Sequence, residues 1–483
     1  MTTARRSQRF SRPSSCCRAL SSLVAAALLL AGCTASQSTP TSKATATATA
    51  ASGAPGGGAA ALPDTPAGAQ ARWLVAATRR LPIPEAEMRA HVNPSFLSLL
   101  TPAQLNQALQ SVGPLTPVAI GASLPWMVGF EASTDSTQGA PPRVGVGIAV
   151  TSNGSIGDLS WSATPPSSAP APPTTWDGVD AMLRSVAPQV RLLVADVTSG
   201  SCRPIHAIDP ATAAPIASAF KLYVLAALAT AVRSGRLSWD QQLTLTPRVK
   251  SLPSGVLQYE PDGTRVSVRD AAAHMIAISD NTATDLLISA LGRPAVEAAL
   301  TATGMADPSQ DEPFLTTRES FLLYLLGWPD LARRYAAADQ AGRRALLATV
   351  VDPAPLPGLA AVKTLPTRAP VARVGWFASA QDVCRAYVWL TQTARQPALA
   401  PIGNVLEADD GGLALDRATW RRTWFKGGFG GTVIAAAYLA TTRSGRSYVV
   451  AAQAEDRSRP LPETAAASML AAIRAAFTLA ARD

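Results

Sequence analysis

The stretch at residues 215–232, PIASAFKLYVLAALATAV, constrains this chain more than any other. It is apolar on every side of a helix, so it has to run through a core rather than lie on a surface. A helix wrapped on all sides needs a large domain around it. With 483 residues and 47% hydrophobic content, the chain has room for two or three domains. One charge interrupts the stretch: Lys221, in the first turn, three residues after Ser218. Of the 42 lysines and arginines only five are lysines (Lys43, Lys221, Lys250, Lys363 and Lys426), so arginine is the default wherever a plain positive charge will do. Arginine keeps its proton, whereas a buried lysine can lose it. A lysine here therefore points to proton chemistry, against the plainer reading of a side chain snorkelling along the helix flank.

Positions three apart share a helix face, which brings Ser218 Oγ and Lys221 Nζ within reach of each other. A serine hydroxyl is a weak nucleophile that needs an adjacent base. An amine whose pKa is lowered by burial can be that base, and the positive end of the helix dipole favours charge developing at Ser218. A second segment, AAHMIAISDNTATDLLISALG, places Ser279-Asp280-Asn281 in a short loop between two helices, the first opened by a capping box at Ser267–Asp270. Taken alone, the loop also fits a simple helix cap. A third, TWFKGGFGGTVIAAAYL, opens a strand at Lys426 followed by Gly427-Gly428, where missing side chains let a backbone or ligand come close. A bulge beside a surface lysine is the plainer alternative.

Together and in this order, these three segments resemble the penicillin-recognising serine hydrolases, the class A β-lactamases and penicillin-binding proteins, whose signature is S-x-x-K, S-D-N, K-T-G. The resemblance covers about residues 177–483. It implies that Ser218 forms an acyl-enzyme, that Lys221 takes its proton and that Ser279 relays a proton to the leaving group. It implies that Asn281 holds the substrate's side-chain amide and Lys426 attracts its carboxylate. The N–H groups of Ser218 and Phe429, beside Gly427 and Gly428, would form the oxyanion hole. Two departures stand out. Gly427 replaces the family's threonine. The deacylating glutamate is matched only by Glu312, in Glu312-Pro313-Phe314-Leu315, with Thr316 where asparagine is expected and an inserted helical segment behind it. The implied substrates are β-lactams, D-Ala-D-Ala peptides from peptidoglycan, or simple esters; a catalytically idle envelope-binding lipoprotein is the alternative of another class.

The N-terminus reads as a targeting region. Five arginines without an acid precede the nine-residue apolar run at residues 23–31, too short for a membrane span of roughly 20 residues. The run ends in Leu30-Ala31-Gly32-Cys33, which resembles a bacterial lipobox. It implies that residues 1–32 are a signal peptide and that Cys33 is lipidated, anchoring an exported protein to the outer face of the cytoplasmic membrane. Residues 33–62, rich in Thr, Ala, Gly and Pro, read as a disordered tether. Residues 63–163 carry helical patterns, one opening at Thr101-Pro102, then alternating strands around Asn153-Gly154. They read as a small α+β domain with a faint resemblance to the cystatin/steroid-isomerase cone, and as non-catalytic. TPPSSAPAPPTTW (164–176) is a linker. Beyond it, strand patterns at both ends of 177–483 and helices between predict one antiparallel sheet built from the two ends, with a helical subdomain. The fold class is thus α+β throughout. The organisation resembles a two-domain lipoprotein branch of the family that includes a protein of the clavulanic-acid cluster.

Most of the net charge of +9 sits in the leader arginines, and no basic stripe with interleaved aromatics appears, so nucleic acid is not an expected partner. With three histidines (His91, His206, His274) and no CxxC or HExxH, neither a metal nor a cofactor is expected. Export permits a disulfide between Cys202 and Cys384; two buried thiols fit the sequence equally well.

Overall fold

The computed structural model describes residues 60–134, 143–163, 171–366 and 373–482. The expected signal peptide, Cys33 and nearly all of the tether lie outside the described residues, as does most of the 164–176 linker.

The first unit begins with four helices, α1 (Pro66–Ala77), α2 (Glu85–His91), α3 (Pro94–Leu99) and α4 (Pro102–Val112). The Thr101-Pro102 start of α4 is a full capping box with Gln104. A four-stranded antiparallel meander follows: β1 (Leu115–Leu124), β2 (Met127–Thr134), β3 (Arg143–Val150) and β4 (Ile156–Ala163). Leu74, Met88, Leu105 and Leu109 from the helices meet Phe130, Val146 and Ile148 from the sheet in one separate core. The turns β1–β2 and β3–β4 lie at the same end of the meander, and that end faces the second unit.

The second unit opens with α5 (Trp176–Val186), then β5 (Gln189–Asp196), β6 (Arg203–Ile208) and the short β7 (Ala214–Pro215). Next come α6 (Lys221–Arg233), the ribbon β8 (Gln242–Thr244) and β9 (Arg265–Ser267), and the helices α7 (Val268–Ala277), α8 (Asn281–Leu291) and α9 (Arg293–Ala302). The inserted segment folds into α10 (Thr317–Leu325), α11 (Asp330–Ala337) and α12 (Gln340–Leu346), with a small core of their own around Leu322, Tyr335 and Val351. The chain closes through β10 (Phe377–Ala378), α13 (Ala380–Thr393), α14 (Pro401–Glu407), β11 (Trp420–Phe429), β12 (Val433–Thr442), β13 (Ser447–Glu455) and α15 (Ala465–Ala480).

The five-stranded sheet has the order β11-β12-β13-β5-β6, antiparallel throughout. As the patterns at the two ends predict, β13 from the C-terminal end pairs with β5 from the start of the unit, Val449 opposite Ala195. One face is covered by α5 and α15; the other packs on the helical body, whose centre is α6. Leu222, Tyr223, Val224, Leu225 and Leu228 of α6 are all fully buried, as an all-apolar helix requires. Cys202 and Cys384 are joined in a disulfide that ties the β5–β6 connection to α13.

Candidate active site

The central helix starts later than its sequence pattern predicts. Pro215 pairs with Phe377 in a short β-bridge, and residues Ala217–Phe220 form a 3-10 turn before α6 begins at Lys221. Ser218 therefore sits on a tight turn rather than in the first turn of an α-helix. Ala217 takes a left-handed φ of 43°, a conformation that costs a side-chain-bearing residue about 1–2 kcal/mol. Strand β11 fits against this turn only because residue 428 is glycine: a Cβ there would lie 2.4 Å from Ile216 O and 2.5 Å from Ser218 N. The half-buried Ser218 hydroxyl has no hydrogen-bond partner among the described residues. It does not bond Lys221, as the i, i+3 spacing led us to expect, because the tighter turn changes the angle between the two side chains.

Lys221 and Lys426 are both fully buried and converge on Ser279. Lys221 Nζ donates to Ser279 Oγ (3.0 Å), to Asn281 Oδ1 (2.8 Å) and to the Ser279 carbonyl. Lys426 Nζ donates to the same Ser279 Oγ (3.1 Å) and to Gly427 O (2.8 Å). The hydroxyl bridges two amines, and its own proton is left for a third partner. Burial pushes the Lys221 amine well below its ordinary value; Lys426 pushes it further, and Asp280 and Asp285 oppose the shift. Burial brings Lys426 down to about 7 against the pull of Asp409. Two ammonium groups sharing a dry site cannot both hold their charge cheaply, so one amine is an available proton acceptor near neutral pH.

The loop that carries Ser279 is held from behind. Ser279 is itself left-handed (φ 55°). Asp280 caps α8 through Ala283 N–H and accepts the N–H groups of Val256 (2.7 Å) and Leu257 (2.9 Å). Ser254 Oγ donates to Ser279 O at 2.7 Å, and Asn281 N–H donates to Ser254 O at 3.1 Å. Asn281 Nδ2 donates to Leu252 O at 3.0 Å while its Oδ1 receives Lys221. In this structure, therefore, Asn281 orients the lysine. The segment 251–257, SLPSGVL, is part of the site, and the motifs alone did not find it; its Pro-Ser-Gly composition marks a turn and nothing more.

Glu312 makes no hydrogen bond to Ser218, Lys221, Ser279, Asn281 or Lys426. Its Oε2 accepts Gln340 Nε2 of α12, in the inserted segment, at 2.6 Å. Its neighbour Asp311 is the buried one: it accepts Phe377 N–H at 2.9 Å, and burial among other acids pushes its carboxyl well above the usual range. Gly427 has a local cause as well. A Cβ there would lie 2.7 Å from Phe425 Cζ, whose ring stacks on Tyr438 at 4.6 Å, so the ring fills the space a threonine would need. Phe429 pairs with Ile434 at the end of β11, and its half-buried side chain turns toward the core beneath the sheet, on the opposite face from Lys426 and Gly428.

Two family models match the chain. The β-lactamase enzyme family matches residues 175–349, and the model described as ORF 12 gene product N-terminal matches residues 62–141. No curated protein matches. Solved structures with similarity include a β-lactamase from Sphaerobacter thermophilus (20% identity, 64% of this chain and 99% of that chain, TM-score 0.46). Others are a protein titled PBP-A (18% identity, 65% and 100%, TM-score 0.44) and an ancestral class A β-lactamase (18% identity, 63% and 98%, TM-score 0.44). The second unit has a β-lactamase/transpeptidase-like fold, on the strength of the family match and of the sheet assembled from the two ends of the unit.

Proposed function

We propose that this chain, whose second unit has a β-lactamase-type fold, is an exported serine hydrolase that works through an acyl-enzyme on Ser218. The observation that carries the reading is the pair of buried amines meeting at one serine hydroxyl. Ser218 Oγ attacks the carbonyl carbon of an ester or amide, β-lactams included, and its proton passes to Lys221, which as a neutral amine gives up one of the three donor bonds it makes as an ammonium. The Oγ–C bond forms as the bond to the leaving oxygen or nitrogen breaks. Ser279, bridging the two amines, returns the proton to the leaving atom. The Ser218 and Phe429 N–H groups receive the developing oxyanion, and the remaining positive charge attracts a substrate carboxylate.

Deacylation sets the phenotype. With Glu312 bonded to Gln340 and no carboxylate hydrogen-bonded to Ser218, Lys221, Ser279 or Lys426 among the described residues, we assign the activation of water to the lysine–Ser279 relay. This favours slow turnover: a β-lactam acylates and stays, while simple esters or D-Ala-D-Ala peptides are the substrates proper. The disulfide supports export to an oxidising compartment. We place the lipid anchor on Cys33 and liken the two-unit order to the lipoprotein branch described above; labelling with a fatty acid, lost in Cys33→Ala, tests the anchor.

Intact-mass spectrometry of the protein with a penicillin, a cephalosporin and a nitrophenyl ester, beside Ser218→Ala, tests the chemistry. A lasting adduct on the wild type only is the expected result for the lactams. Rapid lactam turnover without an adduct would refute the slow-deacylation assignment, and no reaction with any probe would refute the hydrolase.

A further inference from the structure

The turn end of the N-terminal meander is pressed against the segments that hold Ser279. Trp126, in the β1–β2 turn, stacks on His274 of α7 with ring centroids 3.6 Å apart. The His274 carbonyl accepts Asp280 N–H at 3.0 Å. Ser152, in the β3–β4 turn, gives its N–H (2.6 Å) and its hydroxyl to the carboxylate of buried Glu260. Met127 and Ala149 form an apolar cluster with Val256, Ala277 and Ile278, the last two residues before Ser279. Gly157 of β4 comes so close to the same segment that a Cβ there would lie 3.0 Å from Val256 Cγ1 and 3.0 Å from Tyr259 Cδ2. Gly255 in turn has no room for a side chain, since a Cβ would lie 2.2 Å from Asp280 Cγ. Segment 251–260 is thus clamped between the N-terminal sheet on one side and the Ser279–Asn281 loop on the other.

We propose that the N-terminal domain is part of the catalytic apparatus: its sheet end buttresses the Ser279 loop, with Trp126 and Ser152 as positioning residues. A left-handed serine bridging two buried amines is a strained arrangement that persists only when its surroundings over-determine it. Within the second unit, Ser279 is tied by Ser254, Lys221 and Lys426. The segment that carries Ser254 would otherwise be an open loop, and the meander supplies its missing wall. Ser152 ties that wall to the segment through its N–H and its hydroxyl, both on the Glu260 carboxylate. Threonine would keep both bonds, and alanine would lose one. The consequence for catalysis rests on the serine-hydrolase reading above; the mechanical coupling does not.

The test uses the whole protein and the variants Trp126→Ala, Ser152→Ala and Ser152→Thr, with two readouts. Hydrogen exchange follows residues 251–260 and 279–283; acylation by a penicillin or a nitrophenyl ester follows the chemistry. The alanine variants are expected to lose protection in both segments and to acylate about tenfold or more slowly, toward the roughly hundredfold that an ångström of misplacement costs. The probe concentration giving half the maximal rate should stay the same, and Ser152→Thr should stay near wild type. Unchanged protection in both alanine variants overturns the buttress, even if their melting temperatures fall. Lost protection with an unchanged acylation rate overturns the catalytic half. If the wild type reacts with no probe, the hydrolase reading fails, and exchange alone decides the buttress.

Discussion

Gly428→Ala is the sharpest single perturbation of the proposed oxyanion site. The added Cβ would sit 2.4 Å from Ile216 O and 2.5 Å from Ser218 N, whereas ordinary contact begins near 3.4 Å. All of the opposing atoms are backbone, so no side chain can swing aside. Strand β11 and the Ser218 turn must separate by up to about 1 Å, at an overpacking cost of roughly 1–3 kcal/mol in stability. The two N–H groups assigned to the oxyanion, Ser218 and Phe429, lie on opposite sides of that widened gap. Losing the fit to one such donor is worth about 3–4 kcal/mol, or roughly 10²–10³ in rate. The assay is the pre-steady-state rate of ester or penicillin acylation, beside the denaturant midpoint. Alanine should lower both, the rate far more than the stability. If Gly428→Ala were to acylate at close to the wild-type rate, the argument that this glycine closes the oxyanion site would be wrong, because no rearrangement that keeps both donors in place is compatible with those distances.

Lys221→Arg keeps the charge and removes the proton acceptor, so acylation should fall by about 10²–10⁴ while the fold survives in the far-UV spectrum. The lysine pair also predicts a pH dependence of stability. Lys426 titrates near 7 when folded against an ordinary value of 10.5, so between those values the unfolded chain binds the extra proton and stability rises with pH. The melting temperature of the wild type should climb across this window, and Lys426→Gln should flatten the climb; an equal slope in both would show that the amine is not buried as described. Glu312→Gln should leave the decay of the acyl-enzyme unchanged, as measured by loss of the mass adduct; a large slowing would return Glu312 to the role of base.

Periodicity and motif order carried much of this fold. The apolar run at 215–232 could only be central, and the strand patterns at the two ends of the second unit could only meet in one sheet. What the pattern does not encode is local backbone geometry. Ser218 and Lys221 are three apart in sequence, yet the serine lies within a 3-10 turn that precedes the helix, between the bridge at Pro215 and the close approach of Gly428. Contacts across domains were hidden for a similar reason. Nothing about Trp126 or Ser152 distinguishes them from surface residues of a small sheet until the second unit is set against them. Glu312 matched a motif by its neighbours in the chain, and its side chain bonds to a helix inserted behind it.

The sheet of the second unit also sets an order of events during synthesis. Ser218 and Lys221 are made long before Lys426 and Gly428, which complete their surroundings, and β5 waits for β13 before its inner edge is paired. Contacts spanning most of a domain are slow to form, because the loop between them must close first. Until residues 420–455 arrive, Ser218 has neither its neighbouring strand nor the second amine. On the proposed mechanism a truncation anywhere before β11 would remove activity completely rather than in part, and the inner edge of β5, open in the interval, is the surface a chaperone would have to guard.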